Sequence, residues 1–184
     1  RVSNAPFVLR GGGTRGIGVS GPGEVLETGG LSGITLYEPG ALTLVVKAGT
    51  PLAQVEAALA AEGQRLPFEP PDLRALLGRT GESTIGGVVA ANASGPRRVQ
   101  AGACRDSMIG VRFVDGTGTV IRNGGRVMKN VTGYDLVKLL AGSYGTLGVI
   151  TEVAFKLLPS PEMGATLRVD GLEDARAVEA MAAA

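Results

Sequence analysis

Short apolar runs separated by turns rich in glycine and proline give this chain an alternating pattern of strand and helix signals. Runs rich in β-branched residues predict strands, because such side chains pack well on a pleated surface. The predicted strands lie at 7–10, 34–39, 42–48, 64–71, 108–114, 119–122, 147–159 and 165–169. The runs MIGVRFV and TVIR, joined around Asp115-Gly116, predict a β-hairpin.

One helix is predicted from the apolar residues Leu52, Val55 and Leu59, whose spacing places them on a single helical face. Thr50 precedes this stripe and is the expected N-cap, because its hydroxyl can accept a hydrogen bond from an amide of the first turn. The helix is predicted to run to residue 61.

Two further helices are predicted, at 134–142 and 172–184. In the first, Asp135 lies in the opening turn, where a carboxylate interacts favourably with the helix dipole. Pro159 and Pro161 end a long strand, which predicts a domain boundary near residue 160. The chain begins with Arg1 and stops inside a helical pattern, so we expect it to be a piece of a longer protein.

The segment STIGGVVAANASG (83–95) predicts a short helix with small residues on every face. Ser83 or Thr84 can cap this helix, and Gly86 and Gly87 lie in its first turn. The lack of bulky side chains predicts that a second body approaches closely. That body is either another helix or an anion bound by free N–H groups of the first turn, and the residues alone leave both open.

The stretch RGGGTRG (10–16) follows the first predicted strand and matches the dinucleotide-binding pattern G-x-G-x-x-G. That fingerprint requires a helix directly after the loop. A helix over 17–23 would contain three glycines and a proline, at a cost of about 1 kcal/mol per glycine and about 3 kcal/mol for the proline. A Rossmann turn is therefore excluded, and the missing Lys-Ser/Thr pair excludes a P-loop. The stretch is either another kind of phosphate-binding loop or a glycine-rich surface turn.

Composition removes several function classes. The 18 basic and 17 acidic residues leave a formal net charge of +1, which favours neither nucleic acid nor an anionic membrane as a partner. No apolar run approaches the roughly 20 residues needed to span a bilayer. The single cysteine, Cys104, excludes an internal disulfide framework and fits a reducing cytoplasm.

The chain contains no histidine. This removes the commonest general base and the commonest metal ligand, and with them Ser-His-Asp and Cys-His catalysis. We predict no metal site. Chemistry must come from a cofactor, from other side chains, or from another segment or subunit.

Several motifs occur in a recognisable order: RGGGTR, YEPGALTLVVKAGTPLAQVEAAL, GQRLPFEPP, STIGGVVAANASG and GYDLVKLLAGSYGTLGVITEV. In this order they resemble the flavin-binding domain of the vanillyl-alcohol oxidase and p-cresol methylhydroxylase (PCMH) family, over residues 7–160. Within the family, LPFEPP, SGPRR, GGRVMKNVTGYDL and SYGTLGV are most similar to the FAD-binding E subunits of bacterial glycolate oxidases.

The resemblance implies an α+β fold. Residues 1–160 would form a PCMH-type FAD-binding domain of two α/β subdomains, with its N-terminal part missing. Residues 161–184 would begin a C-terminal cap domain that binds substrate.

The resemblance also implies the position of FAD. The loop after the first strand would wrap the pyrophosphate with its backbone N–H groups, and glycines suit such a loop because they accept positive φ and leave room for phosphates. The implied loop residues are Arg10, Gly11, Gly12, Gly13, Thr14 and Arg15. The isoalloxazine and ribityl groups would lie against Pro71, Thr84, Gly86 and Gly87. The second phosphate and the ribityl chain would meet Asn92, Ala93 and Ser94, and adenine would meet Gly148, Val149 and Ile150.

Other charged residues are less specific. Arg97, Arg98 and Arg105 could bind an anion, but an exposed basic rim is the favoured interpretation. Four residues are candidates near the ring edge: Lys129, Asn130, Tyr134 and Asp135. A helix cap explains Asp135 equally well.

Covalent members of the family attach FAD to a histidine, sometimes together with a cysteine. The chain has no histidine, and Cys104 lies outside the motif that supplies the second link. Non-covalent FAD is therefore expected.

The resemblance implies a subunit of an FAD-dependent oxidoreductase that oxidises glycolate, or another small 2-hydroxyacid, to the 2-oxoacid and passes electrons to an iron–sulfur subunit. The alternative is a non-catalytic FAD subunit that relays electrons or supports the complex, with the chemistry in a sister flavoprotein. The missing histidine favours this alternative, because relatives acting on 2-hydroxyacids use histidine and arginine of the cap domain. Reduction of an enolpyruvyl-UDP-sugar is a weaker third hypothesis.

No catalytic residue can be assigned from the sequence. Glu69 is the carboxylate nearest to the implied ring position, but a solvated turn residue is the favoured interpretation. The expected location is the cytoplasm. Contact with the inner face of the membrane would occur only through partner subunits.

Overall fold

The structure, a computed structural model, describes residues 5–16, 21–125 and 133–183. Within these ranges the strands are β1 (Phe7–Arg10), β2 (Glu24–Glu27), β3 (Ile34–Glu38), β4 (Thr43–Lys47), β5 (Gln64–Arg65), β6 (Met108–Val114), β7 (Val120–Gly124), β8 (Val149–Lys156) and β9 (Leu158–Pro159). The helices are α1 (Leu52–Ala61), α2 (Arg74–Leu77), α3 (Ile85–Ala90), α4 (Arg98–Ala101), α5 (Cys104–Ser107), α6 (Leu136–Leu140) and α7 (Asp174–Ala183). A 3-10 turn at Pro39–Ala41 joins β3 to β4.

The main sheet is antiparallel and has the strand order β3-β4-β8-β6-β7. The long strand β8 lies at its centre, where it pairs Leu44 of β4 with Phe155 and Val111 of β6 with Val153. All four side chains are buried. The β-branched and aromatic residues that predicted strands therefore face a common core, and the predicted hairpin is confirmed as β6–β7.

Helices cover one face of this sheet. Leu52, Val55 and Leu59 of α1 are buried in the same cluster as the sheet residues, as their spacing predicted. Helix α3 contacts β4 and β8, and α6 contacts β6 and β7. The rings of Phe68 and Phe155, 5.6 Å apart, join the 64–71 segment to the core. This arrangement fixes α3 beside the start of β8, which is where the candidate site lies.

A second, smaller layer contains β1 and β2, which pair in parallel. The sequence pattern did not predict β2, because the run EVLE is short and all four residues are exposed. The glycine-rich loop follows β1 directly. Strands β5 and β9 form a separate antiparallel pair at the other end of the molecule.

Three local predictions were wrong. Thr50 does not cap α1, since its hydroxyl donates to the Lys47 carbonyl oxygen (2.7 Å) and accepts from the Gly33 amide (2.9 Å). The predicted strand at 64–71 is limited to the two residues of β5, and 165–169 forms no strand. Residues 66–71 and 165–169 are irregular because no described strand pairs with their backbone.

Residues 161–183 lie almost entirely exposed, and α7 leaves Val178 and Met181 uncovered. The division into a domain over 1–160 and the start of a cap domain stays a prediction. Within the described ranges, no helix combines the length and apolarity that crossing a bilayer requires.

Candidate functional site

An open cavity of about 330 Å³ lies where the β1 layer meets α3 and the start of β8. Twelve of the sixteen predicted site residues line it, so the fold brings together segments far apart in the sequence. The twelve are Arg10, Gly11, Gly12, Gly13, Thr14, Arg15, Thr84, Gly86, Gly87, Gly148, Val149 and Ile150. The remaining four, Pro71, Asn92, Ala93 and Ser94, do not line it.

The glycine-rich loop presents open backbone donors to this cavity. The amides of Gly12, Gly13 and Thr14 donate no hydrogen bond to any described residue, although Thr14 is only 5% exposed. Gly13 has φ +69°, a conformation that turns successive amides towards one side. Gly12 is half-buried and Gly13 is exposed, so an anion in the cavity could reach this part of the loop. Successive free amides around a left-handed residue can form an anion-binding nest.

Gly12 is a glycine for a different reason. A Cβ at this position would overlap the carbonyl oxygen of Glu82, so the loop lies directly on the segment before α3. The room that glycine leaves at residue 12 is therefore taken by the protein's own backbone.

The first turn of α3 is already satisfied within the protein. The Ile85 amide donates to the Thr50 carbonyl oxygen (3.0 Å) and the Gly86 amide to that of Ala48 (2.6 Å). The Gly87 amide donates to the hydroxyl of Thr84, the predicted cap (3.4 Å). The expectation of free N–H groups here was wrong, because the turn before α1 folds back onto them. The body that approaches the small residues of α3 closely is therefore the turn before α1.

Arg15 joins the loop to two other segments. Its guanidinium donates to the hydroxyl of Ser83 and to the carbonyl oxygen of Pro71 (2.9 Å). Partial burial lowers the pKa of Arg15, and its Nε is buried without a partner among the described residues. Pro71 therefore lies behind the cavity wall and is linked to the loop by this arginine.

Asn92 and Ser94 use their side chains to hold the start of α5. The Asn92 carboxamide oxygen accepts from the Arg105 amide (3.0 Å), and the Ser94 hydroxyl accepts from the Cys104 amide (2.9 Å). Asn92 reaches this position through a left-handed backbone, with φ +46°. The predicted contacts of Asn92, Ala93 and Ser94 with a phosphate and a ribityl chain stay predictions.

The three arginines of the predicted rim lie outside the cavity. Arg97 forms an ion pair with Glu69, Arg105 lies 3.7 Å from the carboxylate of Asp106, and Arg98 is exposed. Asp135 caps α6 by accepting from the Lys138 amide (3.1 Å). Tyr134 is exposed, and Lys129 and Asn130 lie outside the described residues.

Glu69 is held by two arginines. It accepts from Arg65 (3.1 Å) and from Arg97, and the hydrogen bond from Arg97 is the largest cause that lowers the pKa of its carboxyl group. It does not line the cavity. In the described part of the chain, no group of acidic or cysteine side chains could hold a metal ion.

The sequence reasoning missed nine residues of the cavity lining, of which Arg79 carries a charge and Tyr144 an aromatic ring. Arg79, in the turn after α2, donates to the Gly16 carbonyl oxygen (3.3 Å). Tyr144 has φ +52°, held by its amide, which donates to the Ala90 carbonyl oxygen (2.9 Å). An aromatic residue inside the glycine-rich run GSYG was a usable signal. Nothing in the local sequence marks Arg79.

Unpaired loop amides beside a cavity of this size are compatible with a ligand that carries phosphate groups, such as a nucleotide. The family described as "FAD binding domain" matches residues 1–124. The chain belongs to this family of FAD-binding domains. FAD is its cofactor, and the α+β, PCMH-type fold predicted from the motifs is confirmed.

Similar proteins of named function include glycolate oxidase subunits and D-lactate dehydrogenases. The chain is 43% identical over 164 residues to the glycolate oxidase subunit GlcE of Escherichia coli K12, covering 89% of the chain and 45% of that protein. It is 37% identical over 165 residues to the glycolate oxidase subunit GlcD of Bacillus subtilis 168, and this match covers 88% of the chain and 34% of that protein. It is 34% identical over 157 residues to a D-lactate dehydrogenase of Archaeoglobus fulgidus, and this match covers 84% of the chain and 33% of that protein. The chain thus spans less than half the length of these relatives, and the predicted resemblance is confirmed.

Proposed function

We propose that this chain is the FAD-binding part of a 2-hydroxyacid oxidase or dehydrogenase that takes part in the oxidation of glycolate to glyoxylate. Its partners would be a sister FAD subunit and an iron–sulfur subunit, in the cytoplasm. The similarity to glycolate oxidase subunits and to a D-lactate dehydrogenase supports the substrate class. The observation that carries the site is the set of open amides at Gly12, Gly13 and Thr14 beside the cavity.

When bound, FAD would supply the hydride acceptor for the substrate α-carbon. The chain's own residues would bind and orient it. The amides of Gly12, Gly13 and Thr14 would donate to phosphoryl oxygens, which satisfies donors that otherwise lack partners. The backbone around Gly148 and Val149 would form the far wall of the site.

The attachment would be non-covalent. Cys104 is fully buried, and burial raises the pKa of its thiol, so the reactive thiolate is disfavoured. Acid denaturation should therefore release the flavin from the polypeptide. Flavin that remains with the denatured chain would contradict this part of the proposal.

One observation favours the alternative role as an electron-relay or supporting subunit. Oxidation of a hydroxyacid needs a base to accept the hydroxyl proton. The cavity lining contains no carboxylate and no histidine among the described residues, and Glu69 is occupied by Arg65 and Arg97. We propose that the base comes from a cap domain or from the sister subunit.

Anaerobic titration of the FAD-loaded, full-length protein with glycolate and with D-lactate separates these roles. Loss of the oxidised flavin spectrum in this subunit alone would make it the catalytic chain. Reduction that requires the sister subunit would support the relay role. A protein that binds no FAD would contradict both.

A further inference from the structure

The ion pairs of the described arginines follow a pattern. A carboxylate lies within 4.0 Å of the guanidinium in Arg10, Arg65, Arg74, Arg97, Arg105, Arg112, Arg168 and Arg176. Among the arginines in the described ranges, those without such a partner are Arg15, Arg79, Arg98 and Arg122. Arg15 and Arg79 line the nucleotide cavity, whereas Arg98 and Arg122 do not.

The two cavity arginines without a carboxylate partner donate only to neutral acceptors. Arg15 donates to the Ser83 hydroxyl and the Pro71 carbonyl oxygen, and Arg79 donates to the Gly16 carbonyl oxygen at 3.3 Å. The carboxylate of Asp72 is held by Arg74 at 2.7 Å. Two positive charges therefore lie beside the cavity with no direct counter-ion in the described structure. Arg79 is exposed, whereas Arg15 is half-buried and its Nε has no partner among the described residues. Both positive charges would attract an anionic ligand in the cavity.

Arg79 is placed by a short element. Helix α2 ends at Leu77, and two residues later the Arg79 amide donates to the Arg74 carbonyl oxygen (2.9 Å). From this position the Arg79 guanidinium reaches the glycine-rich loop. A Cβ built on Gly16 would lie 3.2 Å from the Arg79 guanidinium. Arg79 thus reaches the end of the same loop whose amides are open, from a segment 63 residues away in the sequence.

We propose that Arg79, with Arg15 beside it, binds the phosphoryl oxygens of FAD that the amides of Gly12, Gly13 and Thr14 also contact. A guanidinium matches phosphate geometry because it can donate two parallel hydrogen bonds. The weak hydrogen bond to Gly16 leaves the remaining Arg79 donors free for this role. The inference rests on the FAD site of the proposed function and is independent of the substrate.

The decisive variant is Arg79→Gln in the full-length protein, with Arg98→Gln as the matched control. Arg98 is also exposed and unpaired but lies in α4, outside the cavity. Arg79→Gln should raise the Kd for FAD about tenfold, the loss expected for one exposed charge-assisted hydrogen bond. It should also reduce the salt dependence of that Kd, while Arg98→Gln changes neither.

Riboflavin distinguishes phosphate binding from a general effect on the loop, because it carries no phosphoryl group. Its Kd should be the same for the native protein and Arg79→Gln, and the apoprotein Tm should not change. An unchanged Kd for FAD in Arg79→Gln would overturn the inference, as would equal losses for FAD and riboflavin. Failure of the native protein to bind FAD would instead overturn the site itself, and the proposed function with it.

Discussion

Gly12 lies so close to the carbonyl oxygen of Glu82 that a Cβ at residue 12 would overlap it. The oxygen belongs to the backbone, so no side-chain rotation can relieve the overlap. Gly12→Ala should therefore lower the free energy of unfolding by about 1–3 kcal/mol, the usual range for overpacking. Chemical denaturation of the apoprotein measures this change.

The matched control is Gly40→Ala, because a Cβ at residue 40 meets no atom within 4 Å. Equal stability of the two variants would show that the loop does not lie on the Glu82 segment. A β-branched residue at position 12 should likewise disturb the fold as well as FAD binding.

Gly13 tests the loop conformation without this overlap. It has φ +69°, and a Cβ there meets no atom within 4 Å. Gly13→Ala should weaken FAD binding about tenfold, because the left-handed backbone costs an L-residue roughly 1–2 kcal/mol. Gly13→Asn should lose less, since asparagine tolerates this conformation. Fluorescence titration with FAD gives both values, and equal losses for alanine and asparagine would contradict a backbone cause.

Tyr144 holds a left-handed backbone that glycine would adopt without strain. The relieved strain of roughly 1–2 kcal/mol exceeds the roughly 0.5–1 kcal/mol that the more flexible unfolded chain of a glycine variant costs. Tyr144→Gly should therefore stabilise the apoprotein by at most about 1 kcal/mol, seen as a higher Tm. The control is Ser143→Gly: Ser143 has no positive φ, and its buried hydroxyl has no partner in the described part of the chain. That variant should be slightly less stable than the native protein. A lower Tm for Tyr144→Gly would mean that the tyrosine ring contributes more than the strain costs.

The ion pairs of Glu69 predict a pH-dependent contribution to stability. Arg97 and Arg65 lower the folded-state pKa of Glu69 below its ordinary value. The stabilisation is therefore present at neutral pH and is lost as the pH falls through the folded-state pKa. Both side chains of the Arg97 pair are partly solvated, so Glu69→Gln should cost at most about 1 kcal/mol near pH 7.

Urea denaturation of native protein and Glu69→Gln at neutral and at acid pH checks this, and the difference should vanish at the acid end. Glu38→Gln serves as the control, because the Glu38 side chain forms no ion pair with a described residue. Glu69 has a left-handed backbone, with φ +47°. A Glu69→Gln difference that persists at acid pH would assign the effect to that conformation and not to the ion pairs.

Much of this protein was predictable from its sequence. The β-branched runs gave rise to β4, β6 and β8, and the stripe of Leu52, Val55 and Leu59 predicted α1, because burial on one face requires these periods. The order of glycine-rich motifs predicted the family and the loop that lines the cavity. These features depend on residues close together in the chain.

Only the tertiary structure decided which donors are free. The amides of Gly86 and Gly12 both lie in glycine-rich segments and look alike in the sequence. The Gly86 amide donates to the Ala48 carbonyl oxygen, whereas no described acceptor lies within hydrogen-bond distance of the Gly12 amide. In the same way, the packing of α2 beside the loop places Arg79 near Gly16. Whether a polar group is satisfied depends on what the fold brings within about 3 Å of it, and local sequence does not encode those distant neighbours.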